Sequence, residues 1–174
     1  MSPRAVDHVL VLILVLIMLG GCTTDSGDGY VTETVDRLSV DRPTGWDTEQ
    51  PVESPWSKGF RAAPDDTDQL QLSGDFGSYA TAAQGMGTLV GQAQVGLSGF
   101  SVVESREVEV EGATTAQLTR YTVTDGDRTL TGVWIVAAHW PYPQSVAVSL
   151  LTAEDDPTLT ERLVESMKLQ AVTG

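Results

Sequence analysis

The sequence is poor in cysteine and histidine, and this scarcity excludes several kinds of chemistry. Cys22 is the only cysteine, and the two histidines are His8 and His139. A disulfide needs two cysteines, and ordinary structural zinc sites combine several Cys and His ligands. We therefore expect no disulfide, no thiol catalysis by the folded part of the chain, no metal site and no bound cofactor.

Basic side chains are also scarce. The chain carries 10 Lys and Arg against 24 Asp and Glu, which gives a formal net charge of −14. Nucleic acids bind basic surfaces because their phosphates are negative, so this composition excludes a nucleic-acid partner. The same charge disfavours a domain that lies flat on anionic lipid, and we expect it to stand off the membrane. The apolar fraction of 41% is sufficient for a packed core.

The sequence has no apolar run long enough to cross a bilayer as a helix. The longest run covers residues 9–19, about half of the roughly 20 residues that a spanning helix needs. This length is typical of the apolar region of a secretory signal peptide. Gly20 and Gly21 follow the run, and their conformational freedom lets the backbone extend into a peptidase.

The residues Leu19-Gly20-Gly21-Cys22 resemble the lipobox of a bacterial lipoprotein signal peptide. The resemblance implies that the Cys22 thiol receives a diacylglyceryl group and that cleavage falls between Gly21 and Cys22. Two acyl chains anchor a protein stably, whereas one holds it only marginally. We therefore expect a protein held by lipid on the extracytoplasmic face of the cell membrane, with residues 1–21 removed as a signal peptide.

Two alternatives to lipidation are disfavoured. An uncleaved membrane helix fails because residues 9–19 are too few. A signal peptide cut elsewhere leaves a lone reactive thiol in an oxidising compartment.

The remaining chain divides into a tether and one domain. Residues 22–34, rich in Thr, Asp and Gly, are expected to form the lipidated N-terminus and a flexible spacer. An N-terminal strand at Tyr30-Val31-Thr32 is the alternative. Residues 35–170 are predicted to form a single domain.

Two helices are predicted in that domain. The first runs from Ser78 or Tyr79 to Val95, because apolar residues recur there at steps of three and four. Its internal glycines each cost about 1 kcal/mol relative to Ala, so it requires close packing against a sheet. The second helix begins with acidic caps and Pro157 and continues to about Lys168.

Seven strand-like segments surround these helices. Strands are predicted at residues 35–40, 56–63 and 69–73, and four consecutive ones at 100–110, 113–124, 128–138 and 145–152. Asp125-Gly126 indicates a tight hairpin, so the last four form an antiparallel meander. In residues 132–138 and 146–151 the side chains that alternate to one face of the strand and to the other are both mainly apolar. This pattern predicts that both faces of the sheet are covered. The expected class is α+β.

The order of these elements, together with Val40-Asp41-Arg42-Pro43-Thr44-Gly45-Trp46, resembles the PsbP-like family. The sequence is most similar to the small actinobacterial lipoproteins of that family, the LpqN type. The resemblance implies an α/β/α sandwich with a central antiparallel sheet and one helix on each face. It also implies an accessory or binding role rather than an enzyme, and the family has no shared catalytic residues.

One loop is a candidate binding surface. His139-Trp140-Pro141-Tyr142-Pro143 places two aromatic residues between prolines at a connection between strands. Trp and Tyr favour binding sites because they offer a large apolar area with a polar end. We predict that His139, Trp140 and Tyr142 form a surface for a partner protein or ligand. The alternative is that Trp140 folds back over the sheet as a lid on the core.

Other motifs predict no site. Gly85-Met86-Gly87 lacks the strand–turn–helix context of a dinucleotide loop and is interpreted as helix packing. The acidic turns at residues 65–68 and 125–127 lack the ligand number of a calcium loop.

The function expected from the sequence is a non-catalytic envelope lipoprotein that binds a partner protein or a small apolar ligand. Two alternatives remain open. One is an envelope hydrolase that uses His139 with a nearby serine or acidic residue, although the chain has no Gly-x-Ser-x-Gly motif. The other is a purely structural assembly factor, which would lack a ligand cavity between sheet and helix.

Overall fold

The protein is described by a computed structural model that covers residues 24–25 and 27–171. Within these ranges the chain forms two helices and eleven strands. The helices are α1 (Ala82–Gly96) and α2 (Pro157–Ser166). The strands are β1 (Thr24–Asp25), β2 (Tyr30–Val35), β3 (Leu38–Pro43), β4 (Thr48–Gln50), β5 (Lys58–Arg61), β6 (Gln69–Gly77), β7 (Ser101–Glu107), β8 (Thr115–Asp125), β9 (Arg128–His139), β10 (Gln144–Thr152) and β11 (Lys168–Leu169).

A seven-stranded antiparallel sheet is the centre of the fold. Its strand order is β4-β5-β6-β10-β9-β8-β7, so the predicted meander of four consecutive strands is confirmed. Asp125 pairs with Arg128 across a two-residue turn, and Gly126 adopts a φ of 59° there. Hairpin turns of this length favour positive φ, which glycine adopts without steric cost.

Both faces of the large sheet are covered, as the apolar strands predicted. Along β9, Leu130, Trp134 and Val136 belong to a core cluster that includes α1. The intervening residues Val133 and Ile135 belong to a second cluster that includes α2. Because successive side chains of a strand point to opposite faces, the two clusters lie on the two sides of β9. The molecule is thus a mixed α+β structure with a mostly antiparallel sheet.

A second, smaller sheet was not predicted. Its order is β1-β2-β3-β11, and Leu38, Val40 and Leu169 pack in the same core cluster as Leu163 of α2. The strand β11 has only two residues, which pair with Ser39 and Leu38 of β3. Such a short pairing between distant parts of the chain leaves no periodic signal in the sequence.

The N-terminal segment differs from the expected spacer. Residues 30–35 form β2, which pairs with β3 along its whole length. Tyr30 is opposite Pro43 at one end, and Val35 is opposite Leu38 at the other. The alternative prediction of a strand at Tyr30-Val31-Thr32 is therefore the correct one for this segment. Pairing with the neighbouring strand outweighs the polar composition of the segment. Gly21, Cys22 and the predicted signal peptide lie outside the described residues. No helix within the described ranges is long and apolar enough to cross a membrane.

The two helices begin at side-chain caps. The Asp156 side chain accepts a hydrogen bond from the Leu159 backbone N–H at 2.9 Å, and Pro157 follows as the first helical residue, as predicted. In α1, the Thr81 side chain accepts from the Gln84 N–H at 3.4 Å. Helix α1 therefore begins at Ala82 rather than at Ser78 or Tyr79.

Candidate functional site

The predicted aromatic loop lies on the surface. It joins β9 to β10, and the side chains of Trp140 and Tyr142 are 55% and 49% exposed. Trp140 therefore does not act as a lid on the core, which was the alternative. The exposed pair remains a candidate surface for a partner.

His139 is placed by a backbone contact rather than by a catalytic partner. Its ring Nδ1 lies 3.1 Å from the Gly112 carbonyl oxygen, to which the N–H donates. Gly112 adopts a φ of 82°, and a Cβ there would lie 2.0 Å from the Leu169 carbonyl oxygen. The hydrogen bond between His139 and Gly112 ties the end of β9 to the loop before β8.

The acidic turns form hydrogen bonds within the fold. The Asp68 side chain accepts from the Ala153 backbone N–H at 2.7 Å, and Asp125 pairs with Arg128 at 3.2 Å. In the part of the chain that the structure describes, no three His, Cys, Asp or Glu side chains are grouped so that they could share a metal ion.

Sequence reasoning missed a groove between α1 and the large sheet. Its volume is about 310 Å³, within the range of roughly 300–1,000 Å³ that small-molecule sites occupy. One wall is the C-terminal half of α1, and the floor comes from β6, β8, β9 and β10. The lining residues are Trp56, Gln69, Gln71, Leu89, Gln92, Ala93, Gly96, Leu97, Tyr121, Trp134, Ser149 and Leu151.

Polar side chains on the floor are brought together by strand register. Ser149 of β10 is paired with Gln71 of β6 and, on its other side, with Trp134 of β9. Leu151 and Gln69 form the next pair on the same face. Directly paired residues have Cβ atoms about 5 Å apart. Gln71 and Ser149 therefore present an amide and a hydroxyl side by side.

Tyr121 reaches this polar strip because Gly132 has no side chain. A Cβ on Gly132 would lie 2.0 Å from Tyr121 Cζ and 2.5 Å from its hydroxyl oxygen. The phenol ring thus lies flat against the β9 backbone. Its hydroxyl points across β9 and interacts with the Ser149 side chain.

Burial controls the ionisation of this phenol. Tyr121 is only 4% exposed, and burial raises its pKa to about 12, although the interaction with Ser149 lowers it in part. A buried phenol resists ionisation because the charged form loses its hydration. At physiological pH the Tyr121 side chain is therefore a neutral hydrogen-bonding group.

Aromatic rings pack within and beside the groove. The ring centroids of the lining residues Tyr121 and Trp134 are 4.0 Å apart, and Phe100 lies 5.5 Å and 5.8 Å from them. Trp56, which also lines the groove, packs 6.1 Å from Phe76. Such ring clusters are rigid apolar walls.

The groove contains no side chain that is charged at physiological pH. None of its twelve lining residues is Asp, Glu, Lys, Arg or His. A sequence signal for this was present: residues 76–103 contain none of these five types, although the chain as a whole has a net charge of −14. That run covers all of α1 and the loop that leads to β7.

The rim beside the end of α1 is apolar and exposed. Gly96 and Leu97 line the groove, and Val95 next to them is 92% exposed. Val102 and Val103, at the start of the edge strand β7, are also exposed. A Cβ on Gly96 would meet no other atom within 4 Å, so the mouth of the groove is open at this residue.

The fold and the groove define an α+β protein with a covered antiparallel sheet and an uncharged cleft beside α1. No protein-family model matches the sequence, and no curated protein matches it. Solved structures do. LpqN of Mycobacterium tuberculosis, described as involved in cell envelope biogenesis, has a TM-score of 0.50 at 16% identity over 85% of this chain and 89% of LpqN.

A second solved structure has the same fold and a different described role. The Ran-binding protein Mog1p of Saccharomyces cerevisiae has a TM-score of 0.55 at 8% identity, over 80% of this chain and 95% of Mog1p. Both identities are low, so the comparisons show a related fold and no more.

Proposed function

We propose that the protein is a membrane-anchored, extracytoplasmic binding protein of the bacterial cell envelope, without catalytic activity, that holds a small uncharged apolar ligand. The observation that carries this proposal is the groove of about 310 Å³ with no charged lining residue. A purely structural assembly factor has no need of such a cleft. The groove therefore favours ligand binding over that alternative.

The proposed location depends on the N-terminal sequence. Residues 9–19 and the Leu19-Gly20-Gly21-Cys22 motif fit a lipoprotein signal. The described role of LpqN in envelope biogenesis fits the same location, at a low identity of 16%. The finer architecture that we propose is the PsbP-like sandwich, with α1 and α2 on opposite faces, which is supported by their membership of different core clusters.

The anchor is tested by Cys22→Ser. The wild-type protein should fractionate with membranes and carry two acyl chains on an N-terminal Cys22 in mass spectrometry. The variant should lose both the modification and the membrane association, because two chains supply the anchoring energy. A Cys22→Ser protein that still fractionates fully with membranes contradicts the proposed anchor.

Ligand binding is tested with the neutral fluorescent probe N-phenylnaphthylamine on the purified domain. Gly96→Leu should fill the mouth of the groove, because Gly96 lines it and a Cβ there has open space. Gly91→Leu is the matched control, since Gly91 lies on the same helix with open space around its Cβ and does not line the groove. Both variants replace a glycine of α1 by leucine, so the control accounts for the general effect of adding this side chain to the helix.

The expected result is a saturable rise in probe fluorescence for wild type and Gly91→Leu, and a loss of at least about tenfold in affinity for Gly96→Leu, equal to about 1.4 kcal/mol. Equal affinities in all three proteins place the probe elsewhere and remove the groove from the proposal.

A partner protein at the aromatic loop is a second candidate, favoured by the exposure of Trp140 and Tyr142. A photo-crosslinking residue at position 140 in intact membranes should capture one defined protein. The same residue placed at Gly87, which is open to solvent on α1, is the control. A hydrolase that uses His139 is less well supported, because the recorded hydrogen bond of that ring is to the Gly112 carbonyl oxygen.

A further inference from the structure

We infer that the groove selects a neutral ligand with two unlike sides, whose hydrogen-bonding groups face the sheet and whose apolar surface faces α1, and that Tyr121 and Ser149 are the residues that recognise its neutral polar group. This inference rests on the proposed function and names the chemical class of the ligand. Three observations carry it: the unequal walls of the groove, the position of the Tyr121 hydroxyl, and the absence of a charge in the lining.

The walls of the groove are unequal. On the sheet side, Gln71 of β6 contributes an amide, and Ser149 of β10 and Tyr121 of β8 contribute two hydroxyls. On the helix side, Leu89, Ala93 and Leu97 contribute only carbon atoms, with Gln92 at the exposed edge of α1. A ligand that satisfies both walls must be polar on one side and apolar on the other, because an unpaired buried polar group is unfavourable.

The Tyr121 hydroxyl is fixed at the floor of the groove. Gly132 allows the phenol ring to lie against the β9 backbone, where any side chain would overlap it at 2.0 Å. The ring is held from the other side by Trp134, at 4.0 Å between centroids. Packing against Gly132 and Trp134 holds the ring in place, so its hydroxyl is offered to a ligand at one position, beside Ser149. Fixed hydrogen-bonding groups give a site its specificity at a small entropic cost.

An anionic ligand finds no partner of opposite charge in this groove. Burial raises the pKa of the Tyr121 phenol to about 12, so the phenol is neutral at physiological pH. No other lining residue carries a charge at that pH. Arg61 donates a hydrogen bond to Gln69 Oε1 at 3.1 Å, but Arg61 lies in the neighbouring pocket with Asp65, Asp66 and Asp125. An anion in the groove would be desolvated without an opposite charge, which is strongly unfavourable.

Displacement of bound N-phenylnaphthylamine by three small competitors tests the inference. Octanamide is neutral with a polar end, octanoate has the same chain with a negative end at neutral pH, and butylbenzene has no polar group. We expect octanamide to displace the probe at a concentration at least about tenfold lower than octanoate, because the carboxylate loses hydration without compensation.

Two variants assign the selection to the named residues. Tyr121→Phe and Ser149→Ala each remove one hydroxyl, and each should weaken octanamide about 2- to 10-fold while leaving butylbenzene unchanged, which is the range for one hydrogen bond. Tyr79→Phe is the control, since Tyr79 belongs to the same apolar cluster and does not line the groove. Thermal unfolding followed by circular dichroism confirms that each variant is folded.

The outcomes separate this inference from the proposed function. If wild type does not bind the probe at all, the proposed function fails. If the probe binds in the groove but octanoate competes as well as octanamide, the ligand class is wrong and the binding function stands. If octanamide is preferred but neither hydroxyl variant weakens it, Tyr121 and Ser149 do not recognise the polar group, and that assignment is overturned.

Discussion

The two core clusters of the molecule are built from different chemistry. The cluster that contains α2, called here the α2 side, includes residues of the small sheet, and buried charges in that sheet are paired: Glu33 contacts Arg42 at 3.2 Å and Lys58 at 2.6 Å. Arg162 of α2 contacts Asp41 at 2.7 Å. On the side of α1, residues 76–103 carry no charge, and a groove remains open. Under the proposed function, the α2 side contributes stability and the α1 side, the cluster that contains α1, contributes binding.

Truncation of one leucine on each side should give the largest difference. Leu163 of α2 is fully buried, whereas Leu89 of α1 lines the groove. Leu163→Ala should lower the free energy of unfolding by about 4–5 kcal/mol, because the cavity cannot collapse. Leu89→Ala should cost only about 2–3 kcal/mol, since the space left by the shorter side chain opens into the groove that Leu89 lines. Urea unfolding measures both, and equal losses would remove the contrast in packing.

Removal of a buried charge should affect only the α2 side. Glu33→Ala leaves Arg42, which is 9% exposed, without its carboxylate partner in the small sheet. Breaking a buried ion pair from one end typically costs about 3–5 kcal/mol, and we expect about 3 kcal/mol because Lys58 is better solvated. The affinity for N-phenylnaphthylamine should not change. A variant with normal stability but weaker probe binding would reverse the roles assigned to the two sides.

Alkaline pH should weaken the α1 side through Tyr121. In the unfolded chain a tyrosine ionises near pH 10, whereas the folded protein holds Tyr121 protonated until about 12. Above pH 10 the unfolded state therefore binds fewer protons. The free energy of unfolding should fall as the pH rises from 10 to 12, by about 2–3 kcal/mol at the upper end.

Tyr121→Phe removes the pH-dependent contribution of the phenol to the free energy of unfolding, so a comparison with wild type measures that contribution. The pKa of Lys58 is raised from 10.5 chiefly by its hydrogen bond with Glu33, so that group also loses stabilising energy as the pH rises through its folded pKa. The difference between wild type and Tyr121→Phe between pH 10 and pH 12 reports Tyr121 alone. Parallel pH profiles for the two proteins would show that the phenol is not protected by burial.

The smallest expected effect is a gain in stability on the exposed side of α1. Gly91 has open space around its Cβ position, whereas a Cβ on Gly85 would lie 3.1 Å from side-chain atoms of Phe76 and Val136. Gly91→Ala should raise the free energy of unfolding by about 0.5–1 kcal/mol through helix propensity, and Gly85→Ala should not. Thermal unfolding of the two variants measures the difference. A gain for both would show that close packing at Gly85 is not required.

Local signals in the sequence predicted much of the fold. The Asp125-Gly126 turn, the strands that are apolar on both faces and the Asp156-Pro157 helix cap each depend on a few consecutive residues. The structure contains all of them. The start of α1 was wrong by a few residues, although Thr81-x-x-Gln84 follows the pattern of a capping box. That motif was available in the sequence and marks the true boundary.

The small sheet and the groove were not predictable in the same way. β11 consists of Lys168 and Leu169, which pair with residues about 130 positions earlier in the chain. The groove combines side chains from β6, β8, β9, β10 and α1 that become neighbours only through strand register. The contact between Tyr121 and Gly132 likewise follows from the pairing of β8 with β9. The absence of charge from residues 76–103 was the one local signal for the site.

Native mass spectrometry of the protein extracted from its own membranes with a neutral detergent tests the central claim most directly. The account predicts that wild type and Gly91→Leu carry one uncharged organic molecule, and that Gly96→Leu lacks it because its side chain fills the mouth of the groove. An adduct that persists undiminished in Gly96→Leu, or one that proves to be an anion, would contradict a groove built for a neutral ligand.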